Sequence, residues 1–221
     1  MSSSPSSFRV QAQNCGPLQT NAYLLVEHDE AVIVDPAIDA DVLMQQMCDL
    51  AARGVKLVAI WNTHGHFDHV YDNARWKAEF GAPIFCGRAD AFFLEHLREQ
   101  ALWFGLPAPE IALPDETLQE GQRLRIGETE IGVIELPGHS PGSVGFAFGD
   151  VLIGGDVVFE NSCGRVDLPG ADAATLAASL RRIWELPPQT QILPGHGAQT
   201  TVARERQNNL AARQLMAHFG E

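Results

Sequence analysis

Seven consecutive residues, Thr63-His64-Gly65-His66-Phe67-Asp68-His69, carry four side chains able to ligate a metal. Three imidazoles and a carboxylate so crowded lose hydration and repel one another unless a cation organises them. Nitrogen and oxygen donors together suit a transition metal. The residues just before them, Val55 to Trp61, are mostly apolar and too few for a helix, so they read as a buried strand. The cluster therefore falls on a loop leaving a strand, where α/β folds commonly gather their sites.

A pair of zinc ions takes about six or seven ligands, more than this loop supplies. Three other strand ends offer candidates. His139 lies in Pro137-Gly138-His139-Ser140-Pro141-Gly142, after an apolar run. Asp156 follows Val151-Leu152-Ile153 through two glycines, and His196 follows Gln191-Ile192-Leu193 in Pro194-Gly195-His196-Gly197. The glycines let the backbone turn tightly while the ligand points into a shared cleft. His28, His96 and His218 stand in polar turns or helices and are expected on the surface.

The elements that must position these groups alternate along the chain. Strands are predicted at Phe8 to Gln13, Ala22 to Glu27, Ala31 to Val34 and Pro83 to Cys86. The second half adds Gln122 to Ile126, Thr129 to Leu136, Ser143 to Phe148, Val151 to Ile153 and Gln191 to Leu193. Apolar spacing predicts helices over Asp39–Arg53, Val70–Phe80, Arg88–Gln100, Ala171–Leu186 and Thr201–Phe219. Phe104 to Glu120, rich in proline, glycine and acids, reads as a surface connection. Strands and helices followed by strands and helices again suggest two similar halves packed sheet to sheet, with helices outside.

Composition narrows the partners. The 221 residues are 45% hydrophobic and 19% charged, globular proportions consistent with one domain over residues 8–221 after a solvated leader, residues 1–7. A net charge of -13 disfavours nucleic acid, whose phosphates need a basic face. No apolar run approaches the roughly 20 residues that span a bilayer, and the leader lacks the apolar core of a signal peptide. Cys15, Cys48, Cys86 and Cys163 are scattered without a C-x-x-C pair, which argues against a zinc finger and for reduced thiols in the cytoplasm. Oligomeric state is left open.

In this order, His64-x-His66-x-Asp68-His69, then His139, Asp156 and His196, the chain resembles the metallo-β-lactamase fold superfamily from Val34-Asp35-Pro36 to His196. The resemblance implies an αββα sandwich of two mixed sheets flanked by helices, with a dinuclear site at one edge. It implies that His64, His66 and His139 hold a first metal, that Asp68, His69 and His196 hold a second, and that Asp156 bridges them. Asp35 would support the loops from behind. Both ions are expected to be divalent, zinc first, with iron or manganese as alternatives. True metallo-β-lactamases lack a bridging aspartate, so antibiotic hydrolysis is not the expected task.

Asp156-Val157-Val158-Phe159 and Cys163-Gly164-Arg165-Val166-Asp167-Leu168-Pro169 are similar to the short, bacterial-type glyoxalase II enzymes, hydroxyacylglutathione hydrolases. That likeness implies hydrolysis of a thioester such as S-lactoylglutathione by a metal-activated water, with Asp156 and Asp68 in catalytic roles. Arg165 would meet the glutathione carboxylate, unless it merely braces the loop by pairing with Asp167 or Asp172. Two departures stand out. The larger members carry a C-terminal helical domain, and they have an aromatic residue where this sequence has Gly197-Ala198-Gln199. The alternatives are a persulfide dioxygenase, with one iron on His64, His139 and Asp156, and a lactonase.

Overall fold

Strand β2 (Thr20–Glu27) is buried along its whole length, and alternation sends its residues into two different cores. Ala22, Leu24 and Val26 face a helical layer containing Leu43, Met47 and Trp76. Tyr23 and Leu25 face a second sheet, among Val133, Phe146 and Ile153. A strand apolar on both sides fits only an inner layer. The computed structural model describes residues 8–220, so the expected leader, residues 1–7, lies outside the described residues.

The first sheet runs β1 (Arg9–Cys15), β2, β3 (Glu30–Val34), β4 (Lys56–Trp61), β5 (Ile84–Gly87) and β6 (Glu116–Leu118). Its first three strands are antiparallel neighbours and the rest pair in parallel. The second runs β14 (Thr200–Thr201), β13 (Gln191–Pro194), β10 (Val151–Gly155), β9 (Val144–Phe148), β8 (Thr129–Glu135) and β7 (Arg123–Ile126). There β10 and β13 are parallel and every other pair is antiparallel. Helix α1 (Asp41–Ala51) covers the outer face of the first sheet. The outer face of the second is covered by Leu176, Leu180 and Ile183, a helical stripe on α6 (Ala173–Trp184). The result is the expected αββα sandwich of two mixed sheets.

Several predicted helices are interrupted. In place of Val70–Phe80 there are α2 (Phe67–Val70) and α3 (Asn73–Phe80). Between them the Asp72 amide donates to Pro36 O at 2.9 Å instead of continuing the helix. The Arg88–Gln100 segment becomes a turn at Arg88–Asp90, then α4 (Ala91–Glu95) and α5 (Leu97–Trp103), with His96 between the two helices. The Thr201–Phe219 helix breaks at Asn209 into α7 (Val202–Asn208) and α8 (Leu210–His218). The expected surface connection contributes β6 to the sheet edge. A two-stranded ribbon, β11 (Val158–Phe159) and β12 (Ser162–Cys163), escapes sequence patterning because strands of two residues show no alternation. Cys15 and Cys86 are buried, Cys48 and Cys163 half-buried, and all four are free. Among the described residues no helix is long and apolar enough to cross a membrane.

The break at Asn209 has a physical cause. Its side-chain oxygen accepts from the Ala212 amide at 2.9 Å, capping α8, while its amide group donates to Ser162 O at 2.7 Å and Phe159 O at 3.2 Å. Buried Glu205 accepts from the same amide group, from Asn161 N and from Thr200 Oγ1. The ribbon is thus fastened to the C-terminal helices. Asn209→Ala removes a cap and orphans buried carbonyls, and should lower the unfolding free energy by roughly 2 kcal/mol or more in urea titrations. A loss within about 0.5 kcal/mol, the range of ordinary surface substitutions, would contradict this fastening role.

Candidate metal centre

Strands β3, β4, β8, β10 and β13 all end at one edge of the sandwich, and each releases candidate residues there. Asp35 follows β3, His64 and His66 follow β4, and Asp68 and His69 lie on the single turn α2. His139 follows β8, Asp156 follows β10 and His196 follows β13. The two sheets are tied together here by Val144 N donating to Thr63 O at 2.8 Å and Asn21 N to Gly195 O at 2.7 Å. Tyr23 OH donates to Pro194 O at 2.7 Å.

Seven of the sequence candidates converge, and their donor atoms form three overlapping groups: His64, His66 and His139; His64, His69 and Asp156; Asp68, His69 and His196. His69 Nε2 stands 3.5 Å from Asp68 Oδ2 and 3.4 Å from Asp156 Oδ1. His196 Nε2 lies 3.3 Å from Asp68 Oδ2 and 3.4 Å from Asp156 Oδ2, and His139 Nε2 lies 3.5 Å from that same oxygen. Asp156 therefore stands between the two ends of the cluster.

The outer ring nitrogens are already committed. His139 Nδ1 donates to Arg165 O and His196 Nδ1 to Leu18 O, each at 3.0 Å, and His69 Nδ1 donates to Asp35 Oδ2 at 3.0 Å. These bonds fix the tautomers so that the Nε2 atoms face inward. His64 Nε2 and Asp156 Oδ1 are buried without a hydrogen-bond partner. A buried polar atom without a hydrogen bond is costly unless a further group meets it, and Asp156 Oδ1 has only the 3.4 Å approach of His69 Nε2. The donor set fits a pair of divalent cations.

The electrostatics agree. Burial pushes the His64 ring well below the ordinary histidine range and His66 down to about 3. Burial opposes charge on His69 and His196 as well, yet Asp68 and Asp156 prevail. His69 is raised well above its ordinary value and His196 to about 9. In the cation-free protein, protons balance the two carboxylates.

Close packing of the turns demands glycine in two places. A Cβ on Gly195 would stand 2.0 Å from Asp156 Oδ1 and 2.7 Å from His69 Cε1. Gly155, at φ +53, lies where a Cβ would meet Thr63 Oγ1 at 2.5 Å.

Asp35, at the end of β3, accepts from Thr63 N at 2.7 Å and Thr63 Oγ1 at 2.6 Å besides His69. Arg165 is exposed beside the site, and both prongs of its guanidinium donate to Asp167 at 2.9 Å. His28, His96 and His218 are exposed, but His96 also lines the cleft over the cluster.

Sequence reasoning missed buried Asp90. Its carboxylate accepts from Gly65 N at 2.8 Å, Gly142 N at 2.6 Å and Ser140 Oγ at 2.6 Å, joining the first histidine loop to the His139 loop. No local signal marks it, because Arg88-Ala89-Asp90-Ala91 reads as ordinary helix surface. Thr20 was also missed, and its hydroxyl donates to Asp68 Oδ2 at 2.9 Å.

Comparison with known proteins agrees with this architecture. The model of the metallo-beta-lactamase superfamily matches residues 15–196. The chain belongs to that superfamily. It is 36% identical over 197 residues to the hydroxyacylglutathione hydrolase GloC of Haemophilus influenzae, covering 86% of this chain and 92% of that one. Among solved structures, TTHA1623 in a di-iron-bound form is 39% identical with a TM-score of 0.83, covering 91% of this chain and 99% of the other. The BLEG-1 B3 metallo-beta-lactamase is 35% identical with a TM-score of 0.82, covering 91% and 98%.

Gly195→Ala should leave the melting temperature within a few degrees of the parent while lowering bound metal, read by elemental analysis of the purified protein. Unchanged metal content in a folded variant would show that the clash with Asp156 is relieved without disturbing the cluster.

Proposed function

We propose that the cluster holds two divalent metal ions and that the protein hydrolyses acyl thioesters of the hydroxyacylglutathione type. The reading rests first on His64 Nε2 and Asp156 Oδ1, buried atoms without a hydrogen-bond partner among the clustered candidate ligand atoms. His64, His66 and His139 would hold one ion, Asp68, His69 and His196 the other, with Asp156 shared. Nitrogen and oxygen donors without thiolate accommodate zinc, iron or manganese. The resemblance to GloC supports a small thioester as substrate.

Bound divalent ions supply Lewis acidity and a water acidified to about pKa 7. The protein's own groups do the positioning. Thr20 and His196 hold Asp68 at the cleft floor, where its carboxylate faces incoming substrate. Asp35 fixes the His69 ring and Arg165 O fixes the His139 ring. A thiolate leaving group, pKa about 8.5, departs without a proton donor, whereas an amide nitrogen needs one. A thioester therefore asks no acid of the cleft. Arg165 would meet a substrate carboxylate once it leaves Asp167.

Metal-loaded protein should hydrolyse S-lactoylglutathione, followed as loss of thioester absorbance. Asp156→Ala should lower kcat/KM by more than the roughly 10–100-fold typical of losing a supporting partner. One bound iron per chain together with persulfide-dependent oxygen uptake would overturn the proposal in favour of a dioxygenase.

A further inference from the structure

A cleft of about 520 Å³ opens above the cluster, large enough to enclose a whole small molecule. Its α4–α5 wall carries Phe92, Phe93, Trp103 and Phe104, and Phe159 stands near the opposite end of the cluster. Trp103 is 70% exposed and Phe92 57% exposed, an aromatic surface that folding alone gains nothing by presenting to water. The apolar lining reaches the floor itself. The Phe93 ring packs on His66 at 4.9 Å between centroids, and Phe159 on His196 at 5.9 Å.

The walls of the cleft above the floor carry little positive charge. Arg165 is the one lysine or arginine among the lining residues, and Asp167 already engages both of its prongs. Glu99 adds a carboxylate to the rim, and the whole chain carries -13. Cellular thiol carriers such as glutathione are polar and charged at their far end. The acyl half of a thioester is the part able to be apolar.

We infer that the α4–α5 wall is an acyl-binding surface, seating an apolar chain or ring larger than lactoyl, with Trp103 and Phe92 setting specificity. This rests on the thioesterase reading. The acyl carbonyl lies over the histidine and aspartate floor, its hydrocarbon tail lies along the aromatic wall, and the thiol half points toward Arg165.

The test is a series of thioesters of one thiol, N-acetylcysteamine, with acyl groups from acetyl to octanoyl. For metal-loaded protein, kcat/KM should rise about threefold to fourfold per methylene until the cleft fills, the factor corresponding to about 0.8 kcal/mol per buried CH₂. Dissociation constants of the matching non-hydrolysable thioethers, measured by calorimetry, should fall by the same factor. Trp103→Ser should flatten both trends, costing the octanoyl ester more than the acetyl ester. Hydrolysis with a flat chain-length profile in the parent protein would overturn this inference alone. Hydrolysis of no member of the series, or of S-lactoylglutathione, would overturn the thioesterase reading and this inference with it. A Trp103→Ser variant with halved solution mass and an unchanged profile would assign the aromatic face to a second copy of the chain, and also overturn it.

Discussion

Everything at the working edge of this sandwich answers to one constraint, the gathering of four buried imidazoles, the half-buried His196 and two buried carboxylates within a few ångströms of one another. Desolvation alone would drive the rings neutral and the carboxyls protonated. Instead the carboxylates impose protons on His69 and His196, and Asp156 stays well below the ordinary carboxylate range despite its burial. Those protons supply the balancing positive charge, while His64 Nε2 keeps no hydrogen-bond partner and stays within reach of the other candidate ligand atoms.

The rest of the fold holds these groups in place from behind. Asp35 and Asp90 make no approach to the cleft, yet each gathers separate turns. Asp35 binds Thr63 and His69, and Asp90 binds Gly65, Ser140 and Gly142. Because both carboxylates are buried, each contact excludes the water that would otherwise loosen the loops. Strand twist and parallel pairing bring the ends of β3 and β4 beside those of β10 and β13, and Tyr23 and Asn21 stitch the second sheet's last turn onto the first. The two sheets thus meet where each contributes strand ends.

Much of this was legible in the sequence because it rests on local chemistry. His64-Gly65-His66 followed by Asp68-His69 announces candidate ligands by crowding, and the apolar run in Ala22 to Glu27 announces a strand, though not its burial on both sides. Helix boundaries were less legible. The breaks at Asp72, His96 and Asn209 come from tertiary hydrogen bonds or loop geometry, which apolar spacing does not encode. Asp90 was invisible for the same reason: its partners lie 25 to 52 residues away. The aromatic wall was hidden differently. Phe92 and Phe93 fall within a segment predicted as helix and Phe104 opens the expected surface connection, and only the folded chain brings them together with Trp103, three of the four exposed, above the cluster.

The most direct test is a titration of chelator-stripped protein with zinc, following thioester hydrolysis against equivalents of metal added. The dinuclear thioesterase account predicts activity that rises to a break at about two equivalents per chain, in keeping with a shared carboxylate between paired ions. A break at one equivalent, or no thioester hydrolysis at two, would contradict it.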